Sequence, residues 1–246
     1  MDKVTNLSDA IRRFDGALCI NLDDRQDRWD YQIEQFKRFK IDDFVERLPG
    51  VDLRKDYTNT KHDTRWPHVN YSKLGTTGCI LSHLKAVRTA RDRGWKNVII
   101  FEDDATFIED NLDNVTKSVE DLLCQDWELF YFGATYRGPM SRVTKNLLRV
   151  DTGAYALHAY CMNSSVFNRL LHVIPDDPEE ILTTERVNGE IVAADTYLPY
   201  IINNHLTFAT DPIMCTQRDN FSNISIRETP GMRQMQLDFF EKWKPM

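Results

Sequence analysis

Short apolar runs that end in acidic or polar residues alternate with stretches of helical spacing along the first half of the chain. Residues 17–22 and 97–101 are such runs, and an unbroken apolar run of this length is typical of a strand buried on both faces. Between them, Trp29, Ile33 and Phe36 recur at helical spacing. The alternation predicts an α/β fold with a mainly parallel sheet that is covered by helices on both sides.

Weaker patterns of the same kind predict the remaining elements. The predicted helices cover residues 77–94, 111–123, 164–172 and 187–202. The predicted strands cover residues 127–132, 154–162 and 208–216. Residues 49–73 are polar and aperiodic, which predicts a long loop. We expect one domain over residues 1–226 and a tail over residues 227–246 that docks on it. The predicted anchors of that tail are Phe239, Phe240 and Trp243.

The charge of the chain is acidic, with a net value of −7, and its basic residues are scattered. A nucleic-acid-binding protein would concentrate Lys and Arg on one face, so no nucleic-acid partner is expected. Residues 1–15 lack the apolar segment of a signal peptide, and no apolar run has the length of a membrane span. We therefore expect a cytoplasmic protein whose contact with membranes is peripheral.

The five cysteines are odd in number, far apart and without a C-x-x-C pair. This spacing predicts neither a zinc site nor a thioredoxin-like motif. Four of them lie in apolar or mixed segments, where a free cysteine packs as a small hydrophobic residue. The cysteines thus favour a reducing compartment.

Three acids, Glu102, Asp103 and Asp104, directly follow a predicted buried strand. Ligands of open α/β sheets bind at the carboxyl ends of the strands, and carboxylates at such an end suit Mn²⁺ or Mg²⁺, which prefer oxygen ligands. The cation would act as a Lewis acid for a departing diphosphate. A solvated acidic turn that caps the next helix explains the pattern equally well.

A second polar segment follows the first predicted strand. Arg25 and Arg28 suit bidentate phosphate recognition beside a helix N-terminus, and Asn21 suits the edge of a base or ribose. The alternative is a helix cap with charge pairs on the surface, which the pattern by itself favours.

Two other positions carry candidate chemistry. His83 follows Ser82 near a predicted helix start, where a histidine is more often a structural hydrogen-bond partner than a ligand. Asp195 lies in apolar surroundings, and burial would raise its pKa and suit a general base. An acid inside a helix that pairs with a basic neighbour explains Asp195 equally well. The chain has no P-loop or G-x-G-x-x-G motif, so phosphate binding would depend on a metal and isolated basic side chains.

Three segments resemble blocks of glycosyltransferase family 25, which includes lipooligosaccharide and collagen galactosyltransferases. Residues 20–29 read INLDDRQDRW and resemble the opening INLDRRxDRW; residues 78–84 read GCILSHL and resemble GCxxSH; residues 98–107 read VIIFEDDATF and resemble vlvlEDDvxf. The blocks occur in the order and spacing of the family. Weaker similarities follow at residues 153–156, Asp195, Gln217 and residues 222–224.

The resemblance implies a GT-A fold, with a Rossmann-like mixed sheet, and the transfer of a hexose from a UDP-sugar to a hydroxyl of a glycan or glycolipid with inversion. Galactose is the sugar most often transferred in the family. The implied cofactor is Mn²⁺ or Mg²⁺ on Glu102 and Asp104, and the implied base is Asp195. The residues implied at the nucleotide sugar are Asn21, Leu22, Arg25, Arg28, Gly78, Ser82, His83, Asp103 and Gln217.

The chain departs from the family pattern at Asp24, Gln26 and Asn223. Two other functions remain as alternatives. One is a metal-dependent phosphohydrolase of the haloacid dehalogenase type, but its nucleophile is an aspartate at the position where Glu102 stands. The other is a non-catalytic relative that binds a sugar nucleotide or glycan, against which the joint presence of Asp104 and Asp195 argues.

Overall fold

The computed structural model describes residues 3–58, 71–184, 186–187, 190–191, 193–202, 204–219, 221–222, 227–228 and 230–245. Its helices are α1 (Lys3–Ile11), α2 (Gln26–Arg38), α3 (Leu53–Thr58), α4 (Tyr71–Asp92), α5 (Val115–Leu123), α6 (Phe167–Val173), α7 (Pro178–Thr183), α8 (Ala194–Ile201) and α9 (Met232–Trp243). Short 3₁₀ segments cover Glu109–Asn114, Ser164–Val166 and Asn204–Leu206. Among the helices of the described ranges, none combines the length and the apolar character that crossing a bilayer would require.

The strands are β1 (Ala17–Asn21), β2 (Val45–Pro49), β3 (Asn97–Glu102), β4 (Ala105–Phe107), β5 (Leu129–Tyr136), β6 (Met140–Arg142), β7 (Leu147–Val150), β8 (Ala154–Asn163), β9 (Arg186–Val187), β10 (Glu190–Ile191), β11 (Thr207–Thr210), β12 (Cys215–Gln217), β13 (Phe221–Ser222) and β14 (Arg227–Glu228). One large sheet has the order β2-β1-β3-β8-β5-β11-β7-β6. In it β8 and β7 run opposite to the other strands. The predicted α/β fold with a mixed, mainly parallel sheet is therefore confirmed.

The apolar run of β3 is buried on both faces of this sheet. Val98 and Ile100 belong to one apolar core, and Ile99 and Phe101 belong to the other, because alternate residues of a strand point to opposite faces. Helix α4 packs on the first core through Leu84, while α1, α2 and α5 contribute to the second. Polar side chains are consequently absent from residues 98–101 of this strand and gather where its apolar run stops.

Helix α4 begins earlier than the sequence pattern predicts. It starts at Tyr71 instead of residue 77, and Gly75 and Gly78 both lie inside it. Residues up to Lys73 are polar and aperiodic, and Gly75 lowers helix propensity, so the pattern placed the start of the helix too late. That predicted loop over residues 49–73 is wrong at both ends, since α3 occupies one and α4 the other; residues 59–70 lie outside the described residues.

The second half of the chain differs from the prediction in its short strands. Residues 208–216 form two strands, β11 and β12, and residues 187–202 contain β10 and α8. Helix α1 and strands β2, β6 and β7 were not predicted. The edge strand β2 reads VERLP and exposes part of its length, so it lacks the continuous apolar run of a central strand. Asn163 caps the segment after β8, because its Oδ1 accepts a hydrogen bond of 3.0 Å from the Ser165 backbone N–H.

The tail of the chain contains α9, which packs on the body of the protein. Phe240 is buried, and its ring lies 5.7 Å from that of Tyr136 in β5. Phe239 and Trp243, the other two expected anchors, are half-buried. The boundary between residues 226 and 227 stays a prediction, and residues 223–226 lie outside the described residues.

Candidate active site

The carboxyl ends of β1 and β3 open into a cleft whose empty space, counted together with the solvent at its mouth, is about 760 Å³. The two strands are parallel neighbours, so the residues that follow them meet at one edge of the sheet. Helix α4 also contributes side chains to the cleft. The cleft brings together most of the predicted site residues, namely Asn21, Leu22, Arg25, Arg28, Ser82, His83, Glu102, Asp103, Asp104 and Gln217.

Gly78 is the exception among the residues predicted at the nucleotide sugar. It faces the segment after β2, where a Cβ would lie 2.4 Å from the Val51 carbonyl oxygen. Gly75, one turn earlier in α4, lines the cleft instead. The role of Gly78 in the structure is thus the close packing of α4, and its prediction as a ligand-binding residue is not supported by its position.

Ser82 strengthens the same contact between α4 and the segment after β2. Its Oγ donates to the Gly78 carbonyl oxygen at 2.6 Å and accepts from the Val51 N–H at 2.8 Å. Both partners are backbone groups, so Ser82 holds one wall of the cleft in place.

Asp103 is the centre of a buried polar network between β1, α2 and β3. Its Oδ1 accepts from the Arg28 guanidinium at 2.6 Å, and its Oδ2 accepts from the Asn21 side chain at 2.8 Å. Burial raises the pKa of Asp103, and the contacts with Arg28 and Asn21 oppose that rise. Both carboxylate oxygens are engaged, so Asp103 joins the two strand ends that carry the site.

The acidic turn after β3 is fixed from two sides. Gln32 and Gln35 of α2 donate to the Ala105 carbonyl oxygen at 2.8 and 2.9 Å. On the other side, β4 pairs with β12, and the Arg218 N–H donates to the Asp104 carbonyl oxygen at 2.8 Å. Contacts to backbone groups therefore hold the turn. The position of each carboxylate depends on the contacts of its own side chain.

Asp104 is the carboxylate of the triplet with the fewest compensating contacts. Its Oδ1 is buried and has no hydrogen-bond partner among the described residues. Its Oδ2 lies 3.5 Å from the Gln217 amide and 3.9 Å from the Arg28 guanidinium. Burial, and next the negative charges of Glu102 and Asp103, raise the pKa of Asp104 to about 7.

Glu102 points to the opposite side, towards α4. Its Oε1 lies 3.1 Å from His83 Nε2, and His83 Nδ1 lies 2.8 Å from the Tyr160 hydroxyl. Burial, the largest single effect, would raise the pKa of Glu102, but the hydrogen bond with His83 and the charges of His83, His158 and Arg28 together outweigh it, and the pKa lies below its usual value. Both ring nitrogens of His83 thus have hydrogen-bond partners within the protein, which agrees with the structural role that the sequence favoured for this residue.

The arginines at the cleft are more numerous than the sequence indicated. Arg25 pairs with Asp27, at 2.8 Å from both Nε and Nη2. Two arginines were not singled out from the sequence, of which Arg54 lines the cleft and Arg47 contacts a residue that lines it. Arg47 of β2 donates to the Asn21 Oδ1 at 2.8 Å, and Arg54 of α3 lines the cleft beside Asp52. Both come from segments that the pattern assigned to no regular element or to a loop.

Asp195 lies in the first turn of α8 and lines an adjoining cavity of about 540 Å³. Cys79, Glu102 and Gln217 line both this cavity and the cleft. The Asp195 Oδ2 accepts a hydrogen bond of 3.0 Å from the backbone N–H of Ala156. Burial raises the pKa of Asp195, and that hydrogen bond opposes the rise.

Gln217 is held by a glutamine from the tail. The Gln217 N–H donates to the Gln236 Oε1 at 2.8 Å, and the Gln236 amide donates to the Gln217 Oε1 at 3.0 Å. Gln236 is fully buried in α9 and also lies 3.3 Å from the Thr135 hydroxyl. Helix α9 therefore positions the side chain that approaches Asp104.

Replacing Gln236 by Leu is expected to lower the free energy of unfolding by about 1–3 kcal/mol, because the backbone N–H of Gln217 loses its acceptor. Chemical denaturation measures the change. Gln234→Leu, at an exposed position of the same helix, is the matched control and should stay within about 0.5 kcal/mol of wild type. Equal losses in the two variants would mean that the pairing with Gln217 contributes nothing.

The family of the chain follows from comparison with known proteins. The model of "Glycosyltransferase family 25 (LPS biosynthesis protein)" matches residues 14–172, which is more than half of the chain and includes β1, α4, β3 and the acidic turn. The chain belongs to glycosyltransferase family 25. The three sequence blocks that suggested the family meet at the cleft.

Other known proteins are similar to the chain either over a shorter stretch or at low sequence identity. The mouse protein named "Inactive glycosyltransferase 25 family member 3" is 34% identical over 97 residues, which are 38% of this chain and 15% of the mouse protein. The chain thus corresponds to a small part of that relative. Two solved structures are similar with a TM-score of 0.42: mannose-1-phosphate geranyltransferase from Thermus thermophilus (9% identity; 79% of this chain, 73% of that chain) and A197 from STIV (11% identity; 87% and 92%).

The residues of this family 25 cleft fit a divalent cation. The buried, unpartnered Oδ1 of Asp104 is an acceptor that lacks a donor among the described residues, and a buried polar atom left in this way is costly. The carboxylates of Glu102 and Asp103 lie close to Asp104, and their negative charges contribute to its raised pKa. A hard cation with oxygen ligands would remove both costs.

Proposed function

We propose that this family 25 protein transfers a hexose, with galactose favoured, from a UDP-sugar to a hydroxyl of a glycan or glycolipid. The reaction would proceed with inversion and with the assistance of a divalent cation. The observation that carries this proposal is the buried Oδ1 of Asp104, which has no partner among the described residues and belongs to a side chain at the cleft, next to the cavity with Asp195.

Asp104 and Glu102 would hold Mn²⁺ or Mg²⁺. The cation, when bound, would neutralise the charge that develops on the departing diphosphate. Of the two ligands Asp104 is the better placed, because one oxygen of Glu102 already contacts His83. Asp103 serves the site by fixing the strand ends, since Arg28 and Asn21 occupy its oxygens.

Basic side chains at the cleft would recognise the nucleotide sugar. Arg25 at the start of α2 and Arg54 of α3 both line the cleft, and guanidinium groups suit phosphate oxygens. Leu22 and Asn21 would contact the nucleoside, and Gln217 would lie beside the cation. We expect no nucleic-acid partner, because the basic residues are scattered along the sequence.

Asp195 would be the general base. Inversion requires the acceptor hydroxyl to attack in line, from the side opposite the departing diphosphate. The cavity with Asp195 shares Cys79, Glu102 and Gln217 with the cleft, so an acceptor there would meet a donor in the cleft. The carboxylate of Asp195 would take the hydroxyl proton as the new glycosidic bond forms and the bond to the diphosphate breaks.

We place the reaction in the cytoplasm, on an acceptor that is free or at a membrane surface. All five cysteines are free, and Cys124 is exposed. An exposed free thiol suits a reducing compartment.

A second candidate function is the binding of a sugar nucleotide or glycan without transfer. The name of the mouse relative, which describes that protein as inactive, motivates it. The two candidates share the cleft and differ only in turnover.

The test is the release of UDP from a panel of UDP-sugars, with a mixture of glycan acceptors, in the presence of Mn²⁺ or of a chelator. We expect release from one donor, UDP-galactose, and only with the cation. Binding of that donor in calorimetry without any release would favour the non-catalytic candidate. Neither release nor binding with any UDP-sugar would contradict the proposal.

A further inference from the structure

A thiol, an imidazole and a carboxylate meet where the cleft adjoins the Asp195 cavity. The Cys79 Sγ, a ring nitrogen of His83 and a carboxylate oxygen of Glu102 all lie within 4.8 Å of one another. Cys79 and His83 are four residues apart on α4, which places them on the same face of the helix. Glu102 ends β3 and brings the third group to that face.

The chemistry of these three groups differs from that of the acidic turn. Mn²⁺ and Mg²⁺ prefer oxygen ligands, whereas thiolate and imidazole are the ligands of Zn²⁺. Three protein ligands and one position open to a cavity are the usual arrangement of a zinc ion that is accessible to small molecules. Cys79 and Glu102 line both cavities, so the fourth position would face them.

The partner of His83 on its other nitrogen suits metal binding. Nδ1 lies 2.8 Å from the buried Tyr160 hydroxyl. A ligating imidazole usually donates its second N–H to an outer partner that fixes the ring, and a tyrosine hydroxyl accepts as well as donates. Tyr160 can therefore support the tautomer in which Nδ1 carries the proton and Nε2 is free to bind a cation.

We propose that Cys79, His83 and Glu102 form a site for a thiophilic divalent cation, Zn²⁺ above all. Binding would release the Cys79 thiol proton to solvent and place the thiolate, His83 Nε2 and a Glu102 oxygen on the ion. The site goes beyond the proposed transfer reaction and does not depend on it. Because Glu102 is also an expected ligand of Mn²⁺ or Mg²⁺, a cation held here would compete for that carboxylate.

The test is a titration of the whole 246-residue chain with Co²⁺, whose absorption reports the ligands, followed by displacement with Zn²⁺. The background variant Cys124→Ser removes the exposed thiol. We expect the near-ultraviolet charge-transfer band of a thiolate–cobalt bond, which Zn²⁺ abolishes. In Cys79→Ser the band should disappear, and the affinity for Zn²⁺ should fall by more than the ~10–100-fold that the loss of an outer partner costs.

Two further variants separate this site from the acidic turn. Asp104→Asn should keep the charge-transfer band, and Tyr160→Phe should keep it with an affinity that is ~10–100-fold lower. Absence of the band in the background variant, or its survival in Cys79→Ser, would overturn the proposal. If Cys79→Ser does not fold, protection of the Cys79 thiol from alkylation by Zn²⁺ in the background variant decides; unchanged alkylation would overturn the site.

Discussion

Replacing Asp104 by Asn is expected to lower the metal-dependent release of UDP by at least ~1000-fold, which corresponds to about 4 kcal/mol of transition-state stabilisation. The size of the effect follows from the position of the carboxylate. Asp104 Oδ1 has no hydrogen-bond partner among the described residues, so the proposed cation is the group that this oxygen serves. An amide keeps the shape of the side chain and removes its charge.

The same substitution should make the metal-free protein less sensitive to pH. The pKa of Asp104 is raised from 3.8 to about 7 by burial and by its acidic neighbours, so the folded state holds this proton more tightly than the unfolded state. Its contribution to stability is complete below pH about 4 and is lost as the pH rises through about 7, a change on the order of 4 kcal/mol. Asn cannot titrate, so the variant lacks that decline.

Two measurements check these expectations. Initial rates of UDP release with saturating Mn²⁺ give the loss of activity, and denaturation with chelator at pH 4 to 8 gives the stability difference. Asp113→Asn is the matched control, because Asp113 is exposed and the change of charge is the same. Activity of Asp104→Asn close to that of Asp113→Asn would contradict the role of Asp104 in holding the cation.

The parts of the fold that the sequence predicted are those in which local pattern and burial agree. Residues 98–101 of β3 are apolar because both faces of the strand are covered, and the acids that follow this run could therefore be placed at a strand end. β2 lies at the edge of the sheet and has two charged residues, Glu46 and Arg47, in its middle, so it shows no apolar run and its Arg47 was not recognised. Arg54 was missed because α3 lies in a segment that is aperiodic in sequence.

The contacts inside the site could not be predicted, because they join residues far apart in the chain. Asn21 and Asp103 are 82 residues apart, and Gln217 is positioned by a helix of the tail. The family resemblance assigned Glu102 and Asp104 to a cation and Asp103 to the nucleotide sugar, but it could not show that Asp103 contacts Arg28 and Asn21 while Glu102 contacts His83. Spacing also gave no sign of the group around Cys79, since its members come from a helix and a distant strand.

Replacing Asp195 by Asn is expected to reduce transfer to the acceptor by ~100–10,000-fold, the usual contribution of a general base. Asp195 contacts the Ala156 backbone N–H, and an Asn oxygen can accept the same hydrogen bond, so the fold should be preserved. The proposed donor ligands lie in the cleft, while Asp195 lines the adjoining cavity. Binding of the UDP-sugar should therefore remain near that of wild type.

Because Asp195 lies outside the donor cleft, its replacement can distinguish a general base from a residue that only shapes the site. Transfer by the wild type should increase with pH through a pKa that burial raises above the ordinary value of an aspartate, since only the carboxylate form accepts a proton. In Asp195→Asn that acidic limb should be absent from the residual rate, while calorimetry shows donor binding unchanged. If the variant loses donor binding as well, Asp195 supports the donor pocket; if it keeps the rate and the acidic limb, another group takes the proton.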